Sequence, residues 1–563
     1  MDNNKVHPAV IVILVIGGLA ALLSVCCATL QVARLYLPSF DRQETPTPDL
    51  PPEAGVLTVA YSPEKEELFT ALVSAFNNQI ASTSPDILTV NAQRYEPDLM
   101  IEAAVEGRVD AISPDASTWL DTLDRQWAER MGVESPIVGQ TERYAVSPIV
   151  IAMWEDVAQE MGYPEQPLGW ADLLAKAQSD PNFKWSHPST NSAAGLLSTM
   201  AIFYAGADKT RNLTEADVKA QATLDYVAAV EKTVRHYGEG EWSVIQRALS
   251  QGSTYLDAFV CQEQLVVYHN ARTTGERLVA VYPIEGTLWE DHPLALLETD
   301  LLTDRQRATF NRLVEFLKSR EQQLSILAAG YRPTDLDISL TRPDSPLSAT
   351  NGVDPMQPKT ALQMPAPTIV SVIRDVWWYT KRHTNVYLVA DVSGSMRGSK
   401  LYNAQEALRA FLDQIEGDIE RVALVRFSSS VAESVPLGEL GQNRTTLQQE
   451  IDRLEAGGDT ALLDAVALAH ERLVSLGDTD RINAIVVMTD GRENNSRTSL
   501  QSLTQDIVQA NETGIPVIVF CVGYGADADE ATLRALAEAG GGEYVTGDLD
   551  TIRRLYKILS TYF

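Results

Sequence analysis

"NVYLVADVSGSMRGSK", residues 385–400, decides how the C-terminal third of this 563-residue chain is read. A nearly unbroken apolar run leads to Asp391, and Ser393 and Ser395 follow at alternate positions before a helix-like pattern begins. A run of that kind suits a strand buried on both faces, as in a parallel sheet with helices on either side. The alternation continues through "RVALVRFSSS", "ALLDAVALAHERLVSL", "NAIVVMTDG", "SLTQDIVQANETG", "PVIVFCVGYG" and "EATLRALAEAG". The region therefore predicts a doubly wound α/β sheet.

In such sheets ligands bind beyond the carboxyl ends of the strands. Asp391, Ser393 and Ser395 leave the first strand there, Thr460 sits in the glycine-rich loop of "GGDTALLDAV", and Asp490 ends a later strand in "IVVMTDG". Two carboxylates and three hydroxyls, with no His or Cys, are hard oxygen donors suited to Mg²⁺ or Mn²⁺ rather than to zinc or copper. A few hydroxyls and water-bridged carboxylates leave a coordination position open, which an acidic group of a partner can fill. The competing explanation is helix capping, with Ser399 and Thr460 as N-caps. The joint occurrence of the residues at three strand ends, in the right order, favours the metal. On these five residues the segment 385–563 resembles von Willebrand factor type A (VWA) domains, matching every position of their metal-ion-dependent adhesion site. The resemblance implies a Rossmann-like fold and a metal bridge to an acidic residue of a protein partner.

Upstream, "VLTVAYSPEKEELFTALVSAFNNQ", "ILTVNAQ", "DLMIEAAVEG" and "VDAISPDASTWLDTL" alternate strand and helix, which predicts a parallel α/β lobe. "YAVSPIVIAMW" (144–154) reads as a long strand and "AFVCQEQLVVYHN" (258–270) as a second one. Two lobes joined by two long strands make a hinged cleft. "SPIVIAMW", and "EQLVVYHN" followed by "AVYPIEGTLWEDHPLALLET", are similar to the crossing and distal strands of bacterial periplasmic-type solute-binding domains, over residues 56–340. That resemblance implies a small solute in the cleft. The candidate contacts are polar residues in loops that precede helices: Ser62, Glu64, Ser113, Asp115, Ser117, Ser189, Thr190 and Asn191. Exposed helix N-termini suit an anion or a carboxylate. Ordinary capping accounts for the same residues equally well, and a cleft that has lost its solute would be a scaffold.

Residues 8–30 run about 23 positions without a charge, enough to span a bilayer of ~30 Å and longer than the apolar core of a cleaved signal. They predict a single-pass signal anchor behind a short tail, residues 1–7, with the bulk of the chain extracytoplasmic. Lipidation at Cys26, after "LSVC", is the second choice because Val25 is larger than the small residue such a site carries. Residues 41–55 read as a proline-rich stalk. Residues 341–382 read as a linker followed by a connecting helix, "TIVSVIRDVWWYTKR", ahead of the C-terminal domain at 383–563. The linker string "ATNGVDPMQPKT" resembles the connector of bacterial surface proteins that pair these two domain types.

Several classes are excluded. The chain has 76 acidic against 45 basic residues, net −31, and no basic cluster, so a nucleic acid would be repelled. Its cysteines, Cys26, Cys27, Cys261 and Cys521, form neither a disulfide framework nor a zinc cage. No G-x-S-x-G, H-E-x-x-H or Walker A motif is present. "GYGADA" (523–528), with Asp548 downstream, imitates a dinucleotide fingerprint, but Asp527 and Asp529 would repel a pyrophosphate at the helix start. The sequence thus predicts a non-enzymatic, membrane-anchored binding protein at the cell surface. The alternatives are the substrate-binding component of an ABC-type transporter and an assembly factor for a metal-cofactor enzyme.

Overall fold

The computed structural model describes residues 55–547, apart from residues 82, 83, 85, 239, 416 and 525–527. The tail 1–7, the apolar segment 8–30, the stalk apart from Gly55, residues 525–527 of the glycine-rich string, and Asp548 lie outside the described residues. Among the described residues no helix is long and apolar enough to cross a membrane.

The first lobe begins with β1 (Val56–Tyr61), β2 (Thr89–Arg94) and β3 (Ala111–Ser113), parallel neighbours in the order β2-β1-β3. β4 (Val138–Arg143) closes it, and the chain crosses at Tyr144 into the second lobe as β5 (Ala145–Trp154). There follow β6 (Trp185–Ser186), β7 (Ala258–Gln262), β8 (Leu278–Val281) and β9 (Trp289–Glu290). β5 pairs antiparallel with β7, β8 and β9, while β6 lies parallel to β7. The second lobe's sheet is therefore mixed, and so is the first lobe's, expected from sequence to be parallel, because a strand returning from the second lobe runs antiparallel in it. β10 (Pro293–Leu297) returns to the first lobe between β3 and β4, antiparallel to both, and β11 (Arg332–Pro333) crosses again to pair with the start of β5.

The crossings meet in space: His292 packs edge-on against Tyr331 with ring centroids 5.0 Å apart, and both are buried. His292 has φ 33°, a left-handed conformation that a residue with a side chain seldom adopts. The run 258–270 is a correction to the sequence reading. β7 stops at Gln262, and Glu263–Arg272 is a helix, with acidic Glu263 in its first turn and His269 and Arg272 in its last. Charges placed that way suit the helix dipole, and the Val266-Val267 pair packs into the core of the second lobe.

Residues 341–366 are laid along the second lobe. Leu347, Val353 and Leu362 are buried, Ala280 N donates to Gly352 O (2.8 Å), and Leu362 N donates to Thr287 O (2.9 Å). Gly352 has φ 74°, and a side chain there would run into the carbonyl of Leu278. The Asn-Gly of the linker string therefore answers a steric demand.

The helix Pro367–Thr380 buries Ile373 and Trp377, and the chain then enters the C-terminal sheet. The strands there are β12 (Thr384–Asp391), β13 (Arg421–Phe427), β14 (Val431–Glu439), β15 (Ile482–Thr489), β16 (Val517–Tyr524) and β17 (Tyr544–Gly547). Their order is β14-β13-β12-β15-β16-β17, parallel except for the β13–β14 pair. Every residue of β12, β15 and β16 is buried. Alternate residues face opposite layers: Val386, Leu388 and Ala390 pack with Leu408 and Phe411 of Ser399–Gln414, and Tyr387 and Val389 pack with Val466 and Leu473 of Leu462–Leu476. β12 lies between β13 and β15, so the chain leaves it in opposite directions, and the crevice at its carboxyl end is the switch point of the sheet.

Polar contacts tie the second lobe to this domain. Glu231, fully buried, accepts from Trp377 Nε1 (3.0 Å) and Tyr237 OH (2.7 Å) and lies 3.1 Å from His187 Nε2. The Arg382 guanidinium donates to Val234 O of the second lobe (2.9 Å) and to Thr479 O at the entry to β15 (2.7 Å). Lys381 and Glu420, both side chains with no exposure, pair at 2.8 Å where the connecting helix meets β12.

Candidate functional site

β12 ends with Asp391 1 % exposed, so the chain must turn at once and find donors for a buried carboxylate. Ser393 N donates to Asp391 Oδ1 (2.7 Å) and Thr489 Oγ1 to Asp391 Oδ2 (2.5 Å). The turn brings Ser393 Oγ within 3.0 Å of Ser395 Oγ, and Ser395 Oγ donates to Asp490 Oδ1 (2.7 Å). Lys400 Nζ holds the other oxygen of Asp490 at 2.5 Å. Burial pushes the Asp391 carboxyl up, and the nearby Asp490 charge adds to this; hydrogen bonds from Thr489 and Ser393 oppose it.

Thr460 arrives on a different loop. Gly394 N donates to Gly458 O (2.9 Å) and Gly457 N to Val392 O (2.8 Å), which stitches the 457–460 turn to the loop after β12. Gly458 takes φ 90°, leaving glycine the natural choice. Asn494 Oδ1 accepts from Thr460 N at 2.9 Å and fixes the residue from the third loop. Thr460 is not a helix cap: the N-cap of Leu462–Leu476 is Ala461, with no side-chain cap bond. Nor is Ser399, since the N-cap of Ser399–Gln414 is Gly398. The capping explanation of these two residues is thereby removed.

The three loops converge beside Gly491. A Cβ built there would lie 3.3 Å from Thr460 Oγ1, 3.4 Å from Ser395 Oγ and 3.7 Å from Asp391 Oδ2. Asp490 and Ser393 join the same cluster through Ser395. Asp391, Ser393, Thr460 and Asp490 are buried and Ser395 is exposed, so the cradle opens to solvent on that side. Its donors are carboxylates and hydroxyls, and the space beside Gly491 is kept by the missing side chain, so the residues fit a small hard cation such as Mg²⁺ or Mn²⁺. Thr489, Gly491 and Lys400 belong to this site and were not singled out from sequence. The first two carry a signal in hindsight, a hydroxyl and a glycine flanking the strand-end Asp.

The cleft candidates divide into two groups. In the first, Ser62 Oγ donates to Ser113 O (3.4 Å), Ser113 Oγ lies 2.9 Å from Tyr144 OH, and Ser117 donates from N (2.7 Å) and Oγ (2.6 Å) to Asp291. These hydroxyls build the lobe junction, and the Ser117 helix start already carries a carboxylate. Glu64 and Asp115 are buried beside Lys65, whose Nζ donates to Pro114 O (2.6 Å). In the second, Ser189 N donates to Gly238 O (3.2 Å) and Ser189 Oγ accepts from Asn191 N (3.3 Å). Thr190 is buried and Asn191 exposed. Sequence reasoning missed Lys65, Glu241, Glu290 and His292, which the fold places at the junction from distant parts of the chain.

Comparison with known proteins agrees with both halves. Residues 57–332 match the family model described as bacterial extracellular solute-binding protein, and residues 385–556 match the von Willebrand factor type A domain. The chain therefore carries a solute-binding domain followed by a VWA domain. Inter-alpha-trypsin inhibitor heavy chain H4 of Sus scrofa is 26% identical over 230 residues, 40% of this chain and 23% of that protein. An uncharacterized protein of Synechocystis sp. is 28% identical over 181 residues, 31% of this chain and 41% of that one. The chain thus spans less than half the length of these curated relatives. Among solved structures, the sulfate-binding protein SubI of Mycobacterium tuberculosis aligns with TM-score 0.38 and 16% identity, over 50% of this chain and 88% of that one.

Proposed function

We propose that this protein is a non-enzymatic binding protein, anchored in the cell membrane through residues 8–30 with its bulk outside the cytoplasm. Its VWA domain captures a protein partner through one Mg²⁺ or Mn²⁺, and its two-lobed domain takes a small solute. The observation that carries the reading is the convergence of Thr460 Oγ1, Ser395 Oγ and Asp391 Oδ2 on the space beside Gly491. Asp391, Ser393, Ser395, Thr460 and Asp490 would hold the ion, and the ion would supply a Lewis-acidic position for an acidic side chain of the partner. Asp391 and Asp490 balance a divalent cation and Lys400 adds one positive charge, so a carboxylate can approach without net repulsion. The apolar segment 8–30 supports the anchor, and the contacts of Arg382 and Glu231 support a firm link from the solute domain to the capture domain.

The test is calorimetric titration of the full chain with MnCl₂ and MgCl₂, beside Asp391→Ala. Saturable binding to the native chain, its loss in the variant and superimposable circular dichroism spectra are expected, because the sheet is buried by its helices rather than built around the site. Envelope proteins captured in Mn²⁺ should be released by a chelator. Equal, negligible heats for the two proteins, with capture indifferent to chelator, would overturn the reading. Recovery of the chain in the soluble fraction, beginning beyond residue 30, would overturn the anchor.

A further inference from the structure

The lobe junction has an uncommon balance of charge. Glu64 and Asp115 come from the loops after β1 and β3 of the first lobe; Glu241 and Glu290 come from the second. All four are buried, at 7, 4, 4 and 0 % exposure. The group interacts electrostatically as one cluster, and Lys65, itself 1 % exposed, is the cation within it. Burial and the Lys65 charge hold His292 well below the ordinary imidazole range, so it adds no positive charge. With all four carboxyls ionised, three negative charges would stand without a partner.

Hydrogen bonding shows where the deficit lies. Glu241 accepts from Gln262 N (2.7 Å) and Nε2 (2.6 Å), and Asp115 from Ala116 N (2.9 Å). Neither oxygen of Glu290 accepts a hydrogen bond, and neither does Glu64 Oε1. The Glu241 carboxyl beside Glu290 can donate only while it holds a proton. His292 Nε2 is 3.9 Å from Glu290 and already 3.2 Å from Gln262 Oε1. Three carboxyl oxygens at the junction thus lack a donor, while His292 Nδ1 and Trp119 Nε1 lack an acceptor; the unmet acceptors belong to carboxylates, which favours a cationic ligand over an anion. Among the described residues no group of three His, Cys, Asp or Glu side chains is placed to hold a metal ion. A ligand that carries both positive charge and N–H donors answers both deficits.

We propose that the inter-lobe cleft takes a small organic cation bearing ammonium groups, held by Glu64 and Asp115 from one lobe and Glu241 and Glu290 from the other. The inference rests on the reading of this domain as a solute-binding one. It carries a thermodynamic signature. Burial pushes Asp115 up to about 6 and Glu241 up to about 8, and pushes Glu64 and Glu290 well above the ordinary range. The ligand-free junction is then partly protonated near neutral pH, and an ammonium displaces those protons. Affinity rises about tenfold per pH unit for each proton displaced.

The experiment uses the full chain with Asp391→Ala, so that the VWA site does not contribute. Thermal shift and calorimetry are run with 1,4-diaminobutane and lysine, with tetramethylammonium (a cation without N–H), and with sulfate, glutamate, glucose and Mn²⁺. The diamine should raise the melting temperature and release protons, seen as heats that vary with the ionisation enthalpy of the buffer. It should bind more tightly at pH 8 than at pH 6, and tetramethylammonium should bind poorly. Glu290→Gln and Glu64→Gln should each weaken the diamine at least about tenfold while leaving the ligand-free melting temperature equal or higher. Binding of sulfate, glutamate, glucose or Mn²⁺ with no response to ammonium compounds overturns the ligand class and leaves the solute-binding reading standing. No response to any probe overturns both.

Discussion

Gly491→Ala separates the proposed metal site from the fold. Gly491 is not in the left-handed region, so alanine suits its backbone, and the lost freedom of the unfolded chain contributes about 0.4–1 kcal/mol of stability. Against that, the new methyl would sit 3.3 Å from Thr460 Oγ1 and 3.4 Å from Ser395 Oγ, close enough that the hydroxyls must give by a few tenths of an ångström. The two effects are of similar size, so stability should stay within about 1 kcal/mol of native, a melting shift of about 2–4 °C at most. The methyl nevertheless occupies the space on which three site oxygens converge and leaves no room for an ion with its water ligands. Mn²⁺ affinity should fall at least about tenfold, about 1.4 kcal/mol. Mn²⁺ electron paramagnetic resonance titration gives the affinity and a thermal melt gives the stability. Native affinity in the alanine variant would refute the reasoning, and so would a melting point lowered by more than about 10 °C, which would show that Gly491 serves packing instead.

Other expectations concern the joint between the domains. Burial pushes Glu420 up, but the Lys381 charge and hydrogen bonds from His383, Lys381 and Thr384 outweigh it and bring the carboxyl down to about 2 from 4.5. Its contribution, about 3 kcal/mol, is therefore present above pH 4.5 and lost as pH falls toward 2. Glu420→Gln should remove that acid limb and the ion pair with buried Lys381, lowering stability by about 3 kcal/mol at pH 7; a variant that melts like native would contradict this. Arg382→Met keeps the aliphatic stem but loses the bridge from Val234 O to Thr479 O, so about 1.5–3 kcal/mol should be lost. The radius of gyration from solution scattering should rise as the domains loosen, and an unchanged profile would argue that the joint is held elsewhere.

The convergent oxygens of the proposed cation site were legible because their chemistry sits at strand ends. Apolar runs announce strands buried on both faces, and such strands can only deliver polar residues where they stop, as at Asp391 and Asp490. Thr460 was legible from the glycines around it, although a cap explained it as well until the helix start was seen to fall at Ala461. The run at 258–270 was misread because periodicity cannot separate a short buried strand from a buried helix; the β-branched pair Val266-Val267 pointed the wrong way. The acidic junction was legible only in part: Glu64 and Asp115 stood out in loops before helices, whereas Glu241 and Glu290 carried no such signal. The four residues are spread over more than two hundred positions, and only three chain crossings bring them together. The Glu231 and Arg382 contacts were hidden for the same reason.

The most direct measurement of the central claim is anomalous diffraction from crystals of the full chain soaked in MnCl₂. The account predicts a manganese peak beside Gly491, within about 2.2 Å of Ser395 Oγ and Thr460 Oγ1, that disappears in Asp391→Ala crystals. Well-ordered density for the Asp391, Thr460 and Asp490 loops with no manganese among their oxygens would contradict it.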